Sequence, residues 1–339
     1  MEEWKEVRMS DIIEDISMGP FGSDIKRECY VDDGVPYLNG SNVQGIKLGE
    51  KSFIYVSEEK AKSLKKSIAH RGDLIVTHRG TLGQIVYVPD DSKYNEYLIS
   101  NSQFRITLKK EIVSPVFLAY YFHSREGQNK ILANSSQVGV PALGRPTSTF
   151  RQITIKIPSL QKQNKIVSIL KSLDDKIENN RKINENLEQQ AQALFKSWFV
   201  DFEPFRDQPF VESELGMIPE GWRVGTLGNI CTTNKRNLKG QITCSIKYLD
   251  TGNITRNKIE SIQCLDPTKD TIPSRARRCV IEGDIVYSTV RPNQEHYGFL
   301  VNPPTDLIVS TGFCVITANW SVYRYYIYQY LIQDSIITN

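Results

Sequence analysis

No stretch of this 339-residue chain reaches the ~18 consecutive apolar residues that a membrane-spanning helix needs. Its opening, MEEWKEVRMS, is charged and has no apolar centre, so no secretion signal is visible. An excess of one charge is missing as well. Lys and Arg number 42 against 39 Asp and Glu, a net +3, which neither announces nor excludes a polyanionic partner. The six cysteines (Cys29, Cys231, Cys244, Cys264, Cys279, Cys314) include no C-x-x-C pair, and the four histidines do not fall near them in ligand spacing. No metal site is expected, and reduced thiols in a cytoplasmic protein are. Cofactor loops are lacking too. GPFGSD (19–24) does not meet the G-x-x-x-x-G-K-[ST] pattern of a phosphate loop. NPPT (302–305) has a threonine where an amino-methyltransferase loop needs an aromatic to stack on a flipped base, so it reads as a turn. His78, His123 and the serines suggest no catalytic triad.

What is present is ordinary globular composition, 40% hydrophobic and 24% charged, in a chain long enough for two domains. The sequence also repeats itself. EEWKEVRMSDI (2–12) returns as EGWRVGTLGNI (220–230), pairing Trp4 with Trp222. VPYLNGSNVQGIKL (35–48) returns as IKYLDTGNITRNKI (246–259), with Tyr37, Leu38 and Asn42 each 211 residues before Tyr248, Leu249 and Asn253. RGDLIVTHRG (71–80) returns as EGDIVYSTVR (282–291) at the same offset. NSQFRIT (101–107) returns as STGFCVIT (310–317), with Phe104 set against Phe313. Aromatic runs follow in both copies, SPVFLAYYF (114–122) and WSVYRYYIYQYL (320–331).

Ordered matches at a nearly constant offset indicate two copies of one α+β domain, at 1–157 and 217–339. Each has short strands rich in Val, Ile and Tyr, separated by Gly-Asp turns. An aromatic helix follows, over 116–132 in the first copy. The sheets are expected to be small and antiparallel or mixed. The first copy then adds a strand with Ile153, Ile155 and Ile157 on one face, closed by Pro158. The second copy stops near the counterpart of residue 130, so its closing strand and distal helix are expected to be missing.

A long helix occupies 158–203, ahead of a linker at 204–216. Ser159 is its expected N-cap, and it should run to about Val200. Ile166, Leu170, Leu173, Ile177, Asn180, Asn184, Leu187, Ala191, Leu194 and Trp198 follow one another in steps of four and three, as in a coiled-coil seam. Two asparagines at its centre lower stability and set register. At ~1.5 Å per residue the rod would be ~60 Å long. A helix polar over most of its surface calls for a partner helix of similar length. A helix lying against its own domains is the alternative.

This arrangement resembles the DNA specificity subunit of type I restriction–modification systems. ENNRKINENLEQQAQALFKSWFVDFEPF is similar to that family's central conserved region. MGPFGSDIKRECYVDDGVPYL (18–38) is similar to the start of its target recognition domain, and GMIPEGWRVGTLGNI (216–230) to the junction into the second one. The resemblance implies a non-catalytic protein without a cofactor of its own, in which each domain reads half of a split double-stranded DNA target. It implies an antiparallel helix pair that spaces the half-sites and docks methyltransferase subunits, and through them restriction subunits. S-adenosylmethionine, ATP and Mg would belong to those partners. With the second helix missing, the lone helix could meet a second copy of the chain.

Base reading needs Arg or Lys for guanine, Asn or Gln for adenine, and Ser or Thr for either. In the first copy the polar loops offer Asn39, Ser41, Asn42, Gln44 and Lys47, then Thr77, His78, Arg79, Thr81 and Gln84, then Arg145, Thr147 and Ser148. The second offers Asn253, Thr255, Arg256 and Lys258, then Ser288, Thr289, Arg291, Asn293 and Gln294. Lys26 and Arg27, and Arg275, Arg277 and Arg278, are expected at phosphates. Two other readings stay open: an adenine methyltransferase with a fused recognition domain, and a half-subunit that acts as an assembly or inhibitory scaffold without reading DNA.

Overall fold

The computed structural model describes residues 4–133, 135–136 and 139–337. The chain divides into two compact units, Met1–Asn179 and Asn180–Asn339, and the boundary falls inside the long helix. The fold is α+β in both: small sheets with short helices, and one helix of 40 residues, Leu160–Phe199. Among the described residues no helix is long and apolar enough to cross a membrane.

In the first unit a four-stranded antiparallel sheet has the order Ile13–Met18, Gln103–Leu108, Leu74–Thr77, Ile85–Tyr87. Both faces of its central strands are covered: Leu74–Thr77 buries apolar side chains on both, whereas Gln103–Leu108 is apolar on one face and carries Gln103, Arg105 and Thr107 on the other. Leu74, Val76, Phe104 and Ile106 face one core, with Phe117, Phe122 and Phe150 from the short helices. Ile75 and Val86 face the other, against a five-stranded mixed sheet that carries Leu38, Ala69 and Tyr97. In that second sheet Tyr37 pairs in parallel with Leu98.

The second unit repeats this topology. Its antiparallel sheet has the order Cys231–Thr233, Phe313–Ala318, Ile285–Ser288, Tyr297–Phe299. Its mixed sheet pairs Tyr248 in parallel with Ile308, the counterpart of Tyr37 with Leu98. One detail of the sequence comparison is corrected. Phe104 lies opposite Val76, and the residue opposite Tyr287 at the matching position is Cys314, not Phe313. A one-residue shift exchanges the faces of a strand, and Phe313 accordingly sits in the core between the two sheets.

The Gly-Asp turns are structural. Gly72 and Gly283 take positive φ, 86° and 78°, which a β-carbon would strain. The following carboxylates are buried. Asp73 accepts from the His70 amide at 2.9 Å and the Thr107 hydroxyl at 2.7 Å. Asp284 accepts from the Ile281 amide at 2.8 Å and the Thr317 hydroxyl at 2.7 Å. Arg105 stands 4.0 Å from Asp73 and also holds Asp15 at 2.7 Å. Arg236 holds Asp284 at 2.5 Å.

The aromatic run of the first copy forms two helices rather than one. Ser124 ends Pro115–His123 and caps Arg125–Leu132, accepting from the Gly127 amide. The predicted closing strand is Thr154–Ile157, antiparallel to Lys5–Arg8, with Ile155 and Ile157 buried. The segment expected to be a linker is folded. Phe210–Ser213 and Gly216–Pro219 form a hairpin, and Phe199, Phe202 and Phe205 surround the Trp222 ring at 6.0, 5.3 and 5.1 Å.

The long helix is bound at its two ends. In the first unit Ile166 and Val167 pack on the core, and the Tyr120 hydroxyl donates to Asp174 at 2.6 Å. In the second unit the Phe195 and Phe199 rings pack against Tyr326, tilted and edge-on, and the Tyr328 hydroxyl donates to Glu188 at 3.2 Å. Every residue from 171 to 187 is exposed. The seam is therefore divided. Ile166, Leu170 and Ala191 are half-buried, whereas Leu173, Ile177, Asn180, Asn184, Leu187, Leu194 and Trp198 are exposed. Ile169 and Ile183, outside the predicted seam, add to the exposed apolar stripe.

Asp73→Ala should lower the stability of the first unit by about 3 kcal/mol in chemical denaturation, because it strands the His70 amide and Thr107 hydroxyl and removes a counter-charge from Arg105. Asp73→Asn, which keeps an acceptor oxygen, should cost about 1 kcal/mol. Burial holds the Asp73 carboxyl above its ordinary value, against the pull of the His70 amide, Thr107 and Arg105. Stability from this group is thus fully present below the ordinary carboxylate value and declines as pH rises through the raised one. Asp73→Asn should remove that slope.

Candidate nucleic-acid interface

Antiparallel pairing brings Met18, Thr77 and Gln103 to one end of the first unit's sheet. Loops leave the sheet there, and backbone hydrogen bonds tie them together. The His78 amide donates to Ser102 at 2.9 Å. Leu143 donates to His78 at 2.8 Å and Gly80 to Pro141 at 2.9 Å, so the 77–81 turn is zipped to the segment before Arg145. Gln103 donates through its side chain to the Asn39 carbonyl at 3.3 Å.

On this frame Arg79 and Thr81 are exposed, as are Arg145 and Ser148, while Thr147 and Gln84 are half-buried. Arg145 holds φ at 47°, a left-handed conformation that costs a non-glycine residue about 1 kcal/mol. His78 is half-buried, and its Nε2 donates to the Asn101 carbonyl at 3.2 Å. Burial lowers the imidazole from its ordinary value, against the pull of the hydrogen bond to Asn101. Lys26 and Arg27 are exposed at the start of the turn Arg27–Cys29.

Several predicted readers have other work. Asn42 is buried; its side chain accepts from the Asn39 amide and donates to the carbonyls of Gly49 and Lys51, at 3.0, 3.1 and 3.0 Å. It shapes the loop and presents nothing to solvent. Thr77 is buried at the strand end. Asn39 is half-buried and holds the exposed Ser41 through its side-chain oxygen. Gln44 and Lys47 are exposed, but Lys47 runs beside Tyr87, away from the Thr77 end of the sheet.

The second unit gathers its loops at the equivalent end, beyond Ser288 and Phe313. Thr289 donates from its amide to Gly312 at 3.1 Å, and Arg256 from its amide to Glu295 at 2.9 Å. Thr289, Arg291, Asn293, Gln294 and Lys258 are exposed, and Asn253 and Thr255 are half-buried. Arg291 holds φ at 51°. The Arg256 guanidinium is paired with Glu295 at 2.5 Å. Ser288 is buried and donates to the Val290 carbonyl at 2.9 Å, so it is a turn residue. Arg277 is bonded to the Gly240 carbonyl and Arg278 to Asn237, which leaves Arg275 as the exposed member of that trio.

Lys65, Lys66 and Asn101 were not singled out from the sequence. They line a cavity of about 640 Å³ with Arg79 at the first unit's loop end. Their signal was a Lys pair just after the short helix Glu58–Ser63 and an Asn just before a strand. Among the described residues no group of three or more His, Cys, Asp or Glu is placed to hold a metal ion.

Two repeated α+β units on one long helix, each with polar loops rooted in a rigid sheet end, define a class of modular recognition proteins. The chain belongs to the family described as the type I restriction modification DNA specificity domain, which matches residues 1–189. It is 31% identical over 238 residues to the type I restriction enzyme MjaIX specificity subunit of Methanocaldococcus jannaschii, covering 68% of this chain and 52% of that protein. It is 33% identical over 213 residues to the HindI specificity subunit of Haemophilus influenzae, covering 61% and 43%. The chain thus spans about half the length of these curated relatives. The crystal structure of the type I restriction–modification S subunit from M. genitalium shares the fold, with a TM-score of 0.52 at 15% identity, covering 99% of this chain and 78% of that one.

Asn42→Ala should lower the unfolding free energy of the first unit by about 2 kcal/mol, since three internal hydrogen bonds are lost. Thermal denaturation followed by near-ultraviolet circular dichroism measures it. A base-reading role alone would leave stability unchanged.

Proposed function

We propose that the chain reads double-stranded DNA by sequence, one half-site per unit, as the non-catalytic specificity component of a type I restriction–modification assembly. The observation that carries this reading is the recurrence of Arg-bearing polar loops at the same end of the same sheet in both units. Arg79 and Thr81 stand there in one, Thr289, Arg291 and Asn293 in the other. A rigid strand end lets such side chains meet base edges without first being ordered, and these residue types carry the donors and acceptors that distinguish bases. The exposed stripe of the helix is the docking surface for methyltransferase subunits or for the helix of a second copy. In this reading S-adenosylmethionine enters with the methyltransferase, and ATP and Mg with restriction subunits.

Selection from a random duplex library, with the full chain alone and with methyltransferase subunits, should enrich a split sequence. Enrichment of no sequence overturns the reading, and methyl transfer by the chain alone would favour an enzyme instead. Arg79→Ala should weaken target binding by ~1–3 kcal/mol and relax one position of the motif. Changing both Leu173 and Leu187 to Asp should abolish self-association or methyltransferase docking in sedimentation while the first unit stays folded. Unchanged assembly would show that the stripe is not an interface.

A further inference from the structure

Phe21 is 82% exposed, in a unit whose other phenylalanines lie in or against the cores. Its loop is not slack. Gly19 donates to the Gln103 carbonyl at 2.9 Å, and a β-carbon there would fall 1.9 Å from the Ser100 carbonyl oxygen, so the chain passes where only glycine fits. Asp24 accepts from the Phe21 amide at 2.9 Å, and its own amide donates to the Phe21 carbonyl at 2.9 Å. The ring is thus held out into solvent by a closed turn. Beside it, around the same cavity, stand Lys65, Lys66, Arg79 and Asn101.

The fold does not require this ring. The second unit repeats the sheet, and the segment after its equivalent edge strand, Asn234–Cys244, contains no aromatic residue. An exposed phenylalanine on a braced loop, sharing a cavity with three cations and the single acid Asp24, matches one kind of occupant: a polyanion with flat apolar faces inside it. A protein surface would supply apolar contact without needing three cations at the rim. A phosphate-lined duplex supplies both.

We propose that Phe21 is a stacking wedge that enters the base stack of the half-site read by the first unit, with Lys65 and Lys66 on the flanking phosphates and Arg79 beside it at base edges. This rests on the DNA-reading function proposed above. The wedge makes specificity at one step depend on how readily that step unstacks, beyond what hydrogen bonds to base edges provide.

The test uses the full chain and the duplex that wild type enriches, with 2-aminopurine placed in turn at each position. Wild type should raise the fluorescence at one step of the first half-site. Phe21→Ala should abolish that rise and weaken binding about tenfold, the worth of one stacked base, while Phe21→Trp restores both. Replacing Lys65 and Lys66 with Ala should flatten the salt dependence of binding and leave the selected sequence unchanged. If Phe21→Ala binds with wild-type affinity, or no position brightens, the wedge is overturned and sequence reading stands. If Phe21→Ala keeps DNA affinity but loses methyltransferase in co-purification, Phe21 is a protein contact and the wedge is overturned. If wild type enriches no sequence, both ideas fall together.

Discussion

Asp73 and Asp284 each follow a glycine at positive φ, and each takes a backbone amide and a threonine hydroxyl inside the protein. A buried carboxylate without compensation costs several kcal/mol, so this arrangement constrains everything around it. It ties the turn before one central strand to the far end of the next. It also demands a guanidinium. The first unit takes one from its central strand, Arg105, where the second has Val315. The second takes Arg236 from the loop after its edge strand. The acid is common to both copies while the cation comes from a different place. The turn therefore locks the strands in register, and the opposite end of the sheet is free to carry loops that differ.

Much of this architecture was legible in the sequence because it depends on local chemistry. Gly-Asp turns, the spacing of 211 residues and the seven-residue recurrence along the helix are written in residue order. The off-by-one pairing of Phe104 was not legible. Both copies place a phenylalanine near the start of a strand, and only the hydrogen-bond register shows that the two rings face opposite ways. The broken aromatic helix was missed for a related reason: Ser124 is a weak breaker by composition, yet it caps two helix ends at once.

The candidate interface was legible by loop and not by residue. Choosing polar side chains in predicted loops found Arg79, Thr81, Thr289 and Arg291 in the open. The same rule chose Asn42, Thr77 and Ser288, whose polarity serves the loop itself. An amide that holds a turn and an amide that meets a base have the same letter. Burial and hydrogen-bond partners separate them. The rule also passed over Phe21, because an aromatic is assumed to belong to a core until its exposure is known.

The bare stretch of the long helix, 171–187, has a further consequence. It is anchored at Asp174 and Glu188, and every residue between them is exposed. A helical segment of that length with Asn180 and Asn184 at its centre has little stability of its own. Its amides should exchange with solvent faster than those of either sheet, and Arg181 and Lys182 offer trypsin a cut between the two compact units. Whatever covers the stripe would slow both processes, so protection of this segment is a direct gauge of whether the helix has found its companion.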